Sequence, residues 1–449
     1  MKRPKTFQIL VAGCALALLA SRVPAADIGF SKDIAPILQE HCVACHGAKK
    51  AEGGYRIDTF SDLNKPGDSE QLPVKPGDPQ ASELLRRLTT TDESERMPAE
   101  SEPLTPEQTQ KISAWIAAGA AFDGDDANEL LSFVIPAPQY APPPVQYDAE
   151  LPITAIAFSP DGSQVLVGGY HEITVWSALD AKLVRRIQNI GQRVFAITAS
   201  PDGSLFAVAC GEPGRSGEVR LVDFATGEVK GVAGRSADVA LDVAFRPHSD
   251  ELAIASADQS IRIINHKTME LVRTLSSHAD WVTAIAWSDD GKRLASASRD
   301  KSAKVFDMET GQLLVSYQGH AAAVRGVAFS PDAAHVISVG TDNKLHRWNV
   351  QDAKKIAEAA LGGEAYRLVR GEGFVLLPCA DRRLLKFDLA TNKMTQEFKG
   401  HEDWVLSVAL HAADSRIAAD SRIASGAFNG EVRLWKSDGS LIHNWTASP

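Results

Sequence analysis

Seven apolar strand-end positions recur at a nearly constant spacing over the C-terminal two thirds of the chain. They are separated by 46, 42, 42, 42, 39 and 48 residues and are Trp176, Val222, Ile264, Phe306, Trp348, Phe387 and Trp435. Turn sequences such as Ser-Pro-Asp-Gly at 159–162 lie between them. A period of about 40–45 residues, with turns between short strands, is typical of four-stranded blades. The sequence therefore predicts an all-β propeller of seven blades over residues 151–449.

Two repeats depart from this regular spacing. The longest interval contains an identical hexapeptide in tandem, Ala413–Ala418 followed by Ala419–Ala424, and subtracting its six residues restores a spacing of 42. The extra length is therefore an insertion and not a change of period. The sixth repeat, near Tyr366–Lys386, matches the pattern least well, so the predicted number of blades depends most on this segment.

The repeats resemble WD repeats at several positions. These positions are Gly319-His320, Gly400-His401 and the variant Ser277-His278, with the turn residues Asp300, Asp342 and Asn429. The resemblance implies hydrogen-bonded networks inside the blades, so His278, His320 and His401 are expected to be structural and not metal ligands. The chain departs from the family where the strand-end Trp is replaced, at Val222, Ile264, Phe306 and Phe387.

The run Cys42-Val43-Ala44-Cys45-His46 constrains the N-terminal third. Two thiols separated by two residues reach the two vinyl groups on one edge of a porphyrin, and the imidazole of the next residue then lies under the iron. The spacing predicts one covalently attached haem c. Cys42 and Cys45 would form its thioethers, and His46 would be the proximal iron ligand.

Two other kinds of site also use a Cys-x-x-Cys pair. A zinc site that included His46 or His41 needs a fourth donor and often a second Cys/His pair, and no such pair is nearby in the sequence. A disulfide or thioredoxin-like redox pair needs no His at the next position and would lie near a βαβ pattern, which this region lacks. Haem attachment is the favoured hypothesis.

Met97 is the predicted distal ligand of the haem iron. It is the only methionine between residues 27 and 130, and it stands in a Pro-flanked loop before the last helix of that region. A Met sulfur raises the potential of a low-spin electron carrier. His41 is the rival ligand, but its neighbour Cys42 would be tied to the ring edge. A loop methionine can also simply fill a gap in the core.

The haem region is predicted to be a small all-α domain with three helices. Ser31 is expected to cap the first helix, which leads into Cys42, and Asp78 is expected to cap the second. In the third helix, Thr105 and Gln108 form a predicted capping box. The apolar residues expected to face inward are Ile34, Ile37, Leu38, Leu84, Leu85, Leu88, Ile112, Trp115 and Ile116.

Several motifs in this region resemble, in order, the cytochrome c domain of planctomycete-type exported proteins. They are Phe30–Leu38, Cys42–Gly47, Lys75–Asp78, Arg96–Pro98 and Trp115–Ala120. The resemblance covers nearly all of residues 28–122. It implies a class I cytochrome fold with His46 and Met97 as axial ligands, and it leaves open what exchanges electrons with the haem.

The predicted order along the chain is a signal peptide (1–26), the haem domain (27–130), a proline-rich linker (131–150) and the propeller (151–449). Basic residues, the apolar run Phe7–Ala20 and the small residues Val23–Ala26 are typical of a secretory signal. An exported, periplasmic protein is expected. Val11–Cys14 resembles a lipoprotein-processing box, but the apolar run continues past Cys14, so lipid anchoring is the lesser alternative.

Past the signal, no segment approaches 18 apolar residues, so no integral membrane segment is expected in the mature protein. The run Pro136–Pro144 is expected to be an extended, semi-rigid spacer. The preceding segment, Leu130–Ile135, is expected to add an edge strand to the propeller. Cys210 and Cys379 lie in apolar strand-like runs and are expected to be buried thiols.

The net charge of −10 falls to −14 once the four basic residues of 1–26 are removed. Most of the excess is local, since residues 27–145 hold 20 Asp and Glu against 10 Lys and Arg. An acidic surface disfavours nucleic acid and anionic membranes, and it favours a basic redox protein partner. A solvated acidic surface that only maintains solubility is the alternative.

These features favour an exported monohaem c-type cytochrome that transfers electrons, with the propeller as a platform for a protein partner and no catalytic residues of its own. One alternative is a haem-containing oxidoreductase with an active site in the propeller. A second alternative is a scaffold whose haem senses redox state or a diatomic gas. The sequence of residues 153–449 shows no cluster of Cys, His or acidic residues outside the repeat positions, which argues against the enzyme.

Overall fold

A computed structural model describes residues 28–47, 50–99, 101–124, 126–136, 139–236, 238–411 and 421–449. The chain divides into two compact units, Met1–Pro136 and Ala137–Pro449. The predicted signal peptide, Cys14 and most of the duplicated hexapeptide lie outside the described residues. No helix in the described part is both long enough and apolar enough to cross a membrane.

The first unit is built mainly from short helices. A π-helical turn, Phe30–Ile34, runs directly into α1, Ala35–His41. The other helices are α2 (Phe60–Leu63), α3 (Glu83–Thr89), α4 (Pro106–Ala117) and α5 (Leu131–Val134), with 3₁₀ turns at Glu52–Gly54 and Pro79–Ala81. Strands β1 (His46–Gly47) and β2 (Lys50–Ala51) form a small antiparallel hairpin, which the sequence did not predict.

The predicted caps are confirmed at α4 but not at the first helix. Gln108 N donates to Thr105 Oγ1 at 3.2 Å, and Thr105 N donates to Gln108 Oε1 at 2.9 Å, so the capping box is present. The prediction that Ser31 caps the first helix was wrong, because the chain already turns at Gly29. The backbone N–H of Ser31 donates instead to Asp123 Oδ1 at 2.8 Å, an acceptor far away in the sequence.

The nine residues predicted to face inward pack in the core of this unit. All are buried except Leu84, which is half-buried against the same cluster. The prediction of an edge strand at Leu130–Ile135 was wrong, since this segment forms helix α5 in the first unit. Leu131 and Val134 lie three residues apart, on one face of that helix, and both enter the core.

The second unit consists of antiparallel sheets whose strands pair in chain order. The first sheet contains β3 (Ile156–Phe158), β4 (Gln164–Gly168), β5 (Tyr170–Ser177), β6 (Leu183–Ala199), β7 (Leu205–Glu212), β8 (Ser216–Asp223) and β9 (Val229–Ser236). The next two contain β10 (Ala240–Phe245), β11 (Glu251–Ser256), β12 (Ile261–Asn265) and β13 (Leu271–Leu275), then β14 (Val282–Trp287), β15 (Arg293–Ser298), β16 (Ala303–Asp307) and β17 (Leu313–Tyr317).

Three further four-stranded sheets complete the unit. They contain β18 (Val324–Phe329), β19 (His335–Gly340), β20 (Lys344–Asn349) and β21 (Lys355–Ala360), then β22 (Val369–Arg370), β23 (Phe374–Pro378), β24 (Leu384–Asp388) and β25 (Lys393–Phe398), then β26 (Val405–His411), β27 (Arg422–Ala427), β28 (Glu431–Lys436) and β29 (Leu441–Thr446). This succession of four-stranded antiparallel sheets is a β-propeller.

The described residues therefore form five separate four-stranded sheets and one seven-stranded sheet, where the sequence predicted seven sheets of four. The difference arises at β6, which is 17 residues long. Its first part pairs with β5 and its second part, from Arg193, pairs with β7. Because no turn interrupts β6, two predicted repeats share one continuous strand.

The predicted strand-end residues occupy equivalent places in the structure. Each of the seven is buried, and each lies at a register shift between its strand and the next one. We number the repeats one to seven by these residues, from Trp176 to Trp435. The sequence period is thus confirmed as a structural period, although the sheets are not all separate.

The first and last sheets pack directly against each other. The rings of Trp176 and Trp445 are 6.0 Å apart, and both belong to one apolar cluster. Ile153 N donates to Ala427 O at 3.1 Å, and Ser407 Oγ donates to Ile153 O at 2.6 Å. These contacts join the two ends of the propeller sequence through a shared core.

Part of the proline-rich segment is bound to the propeller. The Tyr140 hydroxyl donates to Glu218 at 3.0 Å, and the guanidinium of Arg220 lies 4.5 Å from the Tyr140 ring. Arg186 donates to the carbonyl oxygen of Pro144 at 2.7 Å. Residues 140–144 are therefore held by hydrogen bonds and a cation–π contact on the second unit.

Candidate cofactor site

The Cys-x-x-Cys-His segment forms a tight turn at the end of α1. Cys42 is the C-cap residue of α1, and its N–H donates to Leu38 O at 2.9 Å. The N–H groups of Cys45 and His46 both donate to Cys42 O, at 3.1 and 2.9 Å. The turn thus ties the imidazole-bearing residue to the first cysteine, and His46 begins β1.

The His46 ring is oriented by a backbone group. Its Nδ1 lies 3.3 Å from Tyr55 O and donates its proton there, which leaves Nε2 as the nitrogen able to bind a metal. The His46 carbonyl in turn accepts from Ile57 N at 2.8 Å. Tyr55 is itself fixed, since its hydroxyl donates to Leu63 O at 2.9 Å. Burial raises the pKa of this hydroxyl, which keeps it protonated as a donor. This is the arrangement that a proximal iron ligand requires.

The two cysteines have different surroundings. Burial, with a smaller contribution from Cys45, raises the pKa of the Cys42 thiol to about 12, and this side chain packs against the apolar core. Cys45 Sγ lies 3.9 Å from Lys50 Nζ at the surface. The raised pKa keeps the half-buried Cys42 thiol protonated, and a protonated thiol is a poor nucleophile, which does not favour the redox-pair hypothesis.

Met97 reaches the same apolar core as Cys42 and Val43. Its N–H donates to Arg87 O at 2.9 Å, which ties the loop to α3. The rival ligand His41 is already engaged, because Gln108 Nε2 donates to His41 Nε2 at 3.1 Å. The engagement of His41 Nε2 therefore favours Met97 as the distal ligand.

The residues present fit a haem better than a zinc ion. Among the described residues, Cys42, Cys45 and His46 do not form a group whose ligand atoms lie within 4.8 Å of one another, as a preformed tetrahedral zinc site needs. Arg96 Nε is buried with no hydrogen-bond partner in the part of the chain that the structure describes. A haem propionate would provide an anionic acceptor for that donor.

The three histidines predicted to be structural lie in hydrogen-bonded networks. Their Nδ1 atoms bond to carboxylates at 2.7–2.8 Å and their Nε2 atoms bond to serine hydroxyls at 2.7–2.8 Å, in the groups His278–Asp300–Ser296, His320–Asp342–Ser338 and His401–Glu431–Ser425. In the seventh repeat, Glu431 takes the place predicted for Asn429, whose side chain accepts from Glu431 N instead. The structural prediction for the histidines is confirmed.

The sequence missed His346. This buried residue lies in β20, two positions before Trp348, and its ring stacks on His320 with centroids 4.1 Å apart. Two members of its group, His320 and Asp342, are repeat positions already named from the sequence, and His346 adds a third. Aligning the repeats at their strand-end residues could have found it, because Lys304 and Arg433 occupy the same position in other repeats.

Both units of the chain contain residues that match known protein families. Residues 42–101 match the family described as Planctomycete cytochrome C. Residues 146–177, 269–307, 311–349 and 392–436 match the family described as WD domain, G-beta repeat. No curated protein matches the chain. The chain thus combines a cytochrome c-like domain, a family feature that implies haem binding, with a WD-repeat propeller of a kind that suggests protein interaction.

Proposed function

We propose that this protein is an exported monohaem c-type cytochrome that transfers electrons, and that its propeller docks a partner protein. The observation that carries the proposal is the complete Cys-x-x-Cys-His turn, in which the Tyr55 carbonyl holds His46 Nδ1 and leaves Nε2 for iron. Export is proposed from the signal-like sequence of residues 1–26.

Several residues of the first unit each have a separate role in binding one haem c. Cys42 and Cys45 form the thioethers, His46 is the proximal ligand and Met97 the distal ligand. Arg96 Nε, buried without a partner among the described atoms, pairs with a propionate. The bound haem supplies a one-electron couple at its iron. The apolar core that contains Phe30 and Trp115 also packs against Cys42 and Met97, so it would limit the access of water to a haem held there. A dry, low-dielectric pocket is one means by which a protein sets the potential.

The charge of the haem region favours a basic electron-transfer partner. Residues 27–145 carry twice as many acidic as basic residues. Opposite charges on two redox proteins raise the rate at which they meet, and salt weakens this effect. The first unit would therefore attract the basic partner as well as carry the redox centre.

We propose that the propeller has seven blades, with β6 shared by the first two, and that its docking face lies at an exposed aromatic cluster. Trp404 and Phe428 are each about half exposed, with ring centroids 5.7 Å apart. Trp404 also lines a cavity of about 380 Å³ together with Tyr366, Glu364 and Asp381. Asp381 is already paired with Arg383. The exposed aromatic rings and the Glu364 carboxylate suit a basic segment of a partner protein, through cation–π contacts and an ion pair.

The test of haem attachment uses the full chain, made with its N-terminal segment in a host that matures c-type cytochromes. Intact mass spectrometry is expected to show one added haem and loss of about the first 26 residues. A Cys42→Ala/Cys45→Ala variant is the matched control and is expected to carry no covalent haem. A wild-type protein without haem under these conditions would refute the redox proposal, and an uncleaved N-terminus would refute export.

The test of docking uses the aromatic cluster. A Trp404→Ala/Phe428→Ala variant is expected to weaken binding of a Lys- and Arg-rich peptide probe at least tenfold, measured by fluorescence anisotropy. Trp281→Ala is the matched control, because Trp281 is already covered by Arg299 at 4.4 Å. Equal binding by wild type and the double variant would contradict the proposed face.

A further inference from the structure

Residues 140–147, here called the strap, lie on the surface of the first two repeats of the propeller. They form no helix or strand, and none of them belongs to an apolar cluster of the described residues. Five of the eight are exposed, and the other three are Tyr140, Pro143 and Tyr147. A surface segment with so few buried contacts can detach while the core stays folded.

Tyr147 enters a polar pocket of the first repeat. Its hydroxyl donates to Glu172, whose side chain is fully buried, and accepts from the backbone N–H of Tyr170 at 3.2 Å. Arg186 pairs with the same carboxylate, with its Nε 2.6 Å from Glu172 Oε2. A Cβ atom added at Gly169 would lie 2.8 Å from the Tyr147 hydroxyl. The glycine therefore leaves the space that the tyrosine occupies.

Tyr140 enters a similar pocket of the second repeat. Its hydroxyl donates to Glu218 Oε1 at 3.0 Å, and its ring lies 4.5 Å from the guanidinium of Arg220. The backbone N–H of Tyr140 donates to Asn189 Oδ1 at 2.9 Å. Glu218 and Arg220 form an ion pair whose side chains are 5% and 0% exposed. A hydrogen bond to such a charged group is stronger than one between neutral groups.

The two carboxylates occupy equivalent positions in their repeats. Glu172 and Glu218 each stand four residues before the strand-end residue, as Glu431 does in the seventh repeat. Glu431 bonds to the network histidine His401. Residues 137–236 contain a single histidine, His171, and its Nδ1 bonds to a backbone carbonyl instead. In the first two repeats, the strap tyrosines therefore take the place of the histidine.

The main chain between the two tyrosines is bound as well. Two nitrogens of the Arg186 guanidinium donate to Pro144 O at 2.7 Å and to Val145 O at 3.1 Å. Residues 142–144 are all proline, so they lack N–H groups and have a restricted φ. This restriction lowers the entropy cost of holding the segment in one conformation. The contacts thus recognise two tyrosine hydroxyls and the carbonyl groups of a proline-rich stretch between them.

We infer that the first two repeats form a binding site for a proline-rich segment with two tyrosines seven residues apart. The strap occupies this site in the isolated chain, and a partner protein that carries such a segment displaces it. The strap competes at an effective concentration of about millimolar, because it belongs to the same chain. The site is independent of the haem and is formed by other residues than the proposed docking face at Trp404 and Phe428.

The test uses the full chain with haem attached and a fluorescein-labelled peptide of residues 139–149. Tyr140→Ala/Tyr147→Ala empties both pockets and is expected to bind the peptide about tenfold or more tightly than the wild type, measured by fluorescence anisotropy. Tyr170→Phe is the matched control and is expected to bind like the wild type, because it keeps both strap tyrosines. A peptide carrying Tyr140→Phe/Tyr147→Phe is expected to bind the double variant about tenfold or more weakly, because two hydrogen bonds to carboxylates are lost.

Hydrogen exchange keeps the test decisive if Tyr140→Ala/Tyr147→Ala does not fold. An isotopically labelled wild-type chain is mixed with millimolar unlabelled peptide, so that the strap and the peptide differ in mass. The strap amides are expected to exchange faster with the tyrosine peptide and at an unchanged rate with the phenylalanine peptide. No binding to a folded double variant, equal binding of the two peptides, or unchanged exchange of the strap with the tyrosine peptide would each overturn the inference.

Discussion

At the scale of single residues, the chemistry of the haem site depends on which atoms are left free. His46 keeps Nε2 because a backbone carbonyl takes Nδ1, and His41 loses its Nε2 to Gln108. The side chain of Met97 packs against the same apolar cluster as Cys42. These contacts favour Met97 over His41 as the distal ligand.

Met97→Ala is expected to retain the covalent haem and to open the distal position. Sulfur ligation gives the oxidised protein a weak charge-transfer absorption near the red end of the visible spectrum, and this band is expected to disappear completely. Loss of the thioether should also lower the potential. Met394→Ala is the matched control, because Met394 is exposed in the propeller. A band that is absent from the wild type, or that survives Met97→Ala, would exclude Met97 as the ligand.

The buried histidine of the seventh repeat should make the propeller sensitive to acid. Burial, opposed by Glu431, lowers the pKa of His401 to about 4 from an ordinary value of 6.5. The unfolded chain therefore takes up a proton more readily than the folded chain, so stability is lost as the pH falls from about 6.5 to about 4. The loss amounts to roughly 3 kcal/mol at most, at 1.36 kcal/mol per pKa unit.

This loss is measured by urea unfolding at several pH values, followed by circular dichroism of the strands. His401→Gln should reduce the dependence on pH without abolishing it, because burial also lowers the pKa values of His278, His320 and His346. His248→Gln, at an exposed position, should leave the dependence as in the wild type. An identical pH dependence in His401→Gln and the wild type would show that His401 does not carry the effect.

How far a residue could be predicted depended on what fixes its position. The Cys42–His46 turn could be predicted from the sequence spacing of its two cysteines and its histidine, and it lies at the end of a helix as expected. Glu431 and His346 could not be predicted from one repeat, because their roles depend on cross-strand neighbours. Glu431 takes the place of Asn429 because its carboxylate, at the start of β28, lies 2.7 Å from His401 Nδ1.

At the scale of elements, helix α4 packs its apolar face into the core of the first unit, here called the haem unit, and carries polar contacts at its other end. Its capping box is formed by Thr105 and Gln108, and the same Gln108 holds His41. The sequence predicted this helix well because caps and apolar spacing are local properties. It did not predict the continuity of β6 or the helix α5, since both depend on packing against distant parts of the chain.

Thr105→Ala is expected to destabilise the haem unit by about 1 kcal/mol, because two N–H groups at the start of α4 depend on the capping box. Denaturant unfolding followed by haem absorbance measures this change. Thr109→Ala, inside the same helix, is the matched control, since its hydroxyl only returns to Thr105 O and Ala is the better helix former. Equal stability of Thr105→Ala and Thr109→Ala would contradict a stabilising role for the cap.

At the scale of the whole molecule, the two units have separate cores. Among the described residues, one apolar cluster lies wholly within the first unit, and seven further clusters lie within the second. Units with separate cores can fold independently. Residues 140–147 contribute to the second unit, because Tyr140 bonds to Glu218 and Tyr147 bonds to Glu172.

Residues 137–449 are therefore expected to fold alone. The shorter fragment, residues 148–449, is expected to have a free energy of unfolding lower by on the order of 1–3 kcal/mol, because it loses these hydrogen bonds and leaves their partner groups unsatisfied. Urea unfolding of the two fragments gives the difference. Tyr140→Phe in the longer fragment is a milder variant that removes one of these hydrogen bonds. Equal stability of the two fragments would mean that the proline-rich segment contributes nothing to the propeller.

The uneven charge of the molecule leads to a prediction about its electron transfer. Because the acidic excess lies in residues 27–145, a basic redox protein should be attracted to the haem unit, and salt should screen this attraction. The bimolecular rate of electron transfer to a small basic cytochrome c, measured by stopped flow, is expected to fall about tenfold or more between low and high ionic strength.

Glu40→Lys, at an exposed position two residues before Cys42, should lower the rate at low salt. Glu372→Lys, at an exposed position in the propeller, makes the same change of net charge and should have a smaller effect. If the two variants slow the reaction equally, net charge and not the acidic haem unit governs the encounter.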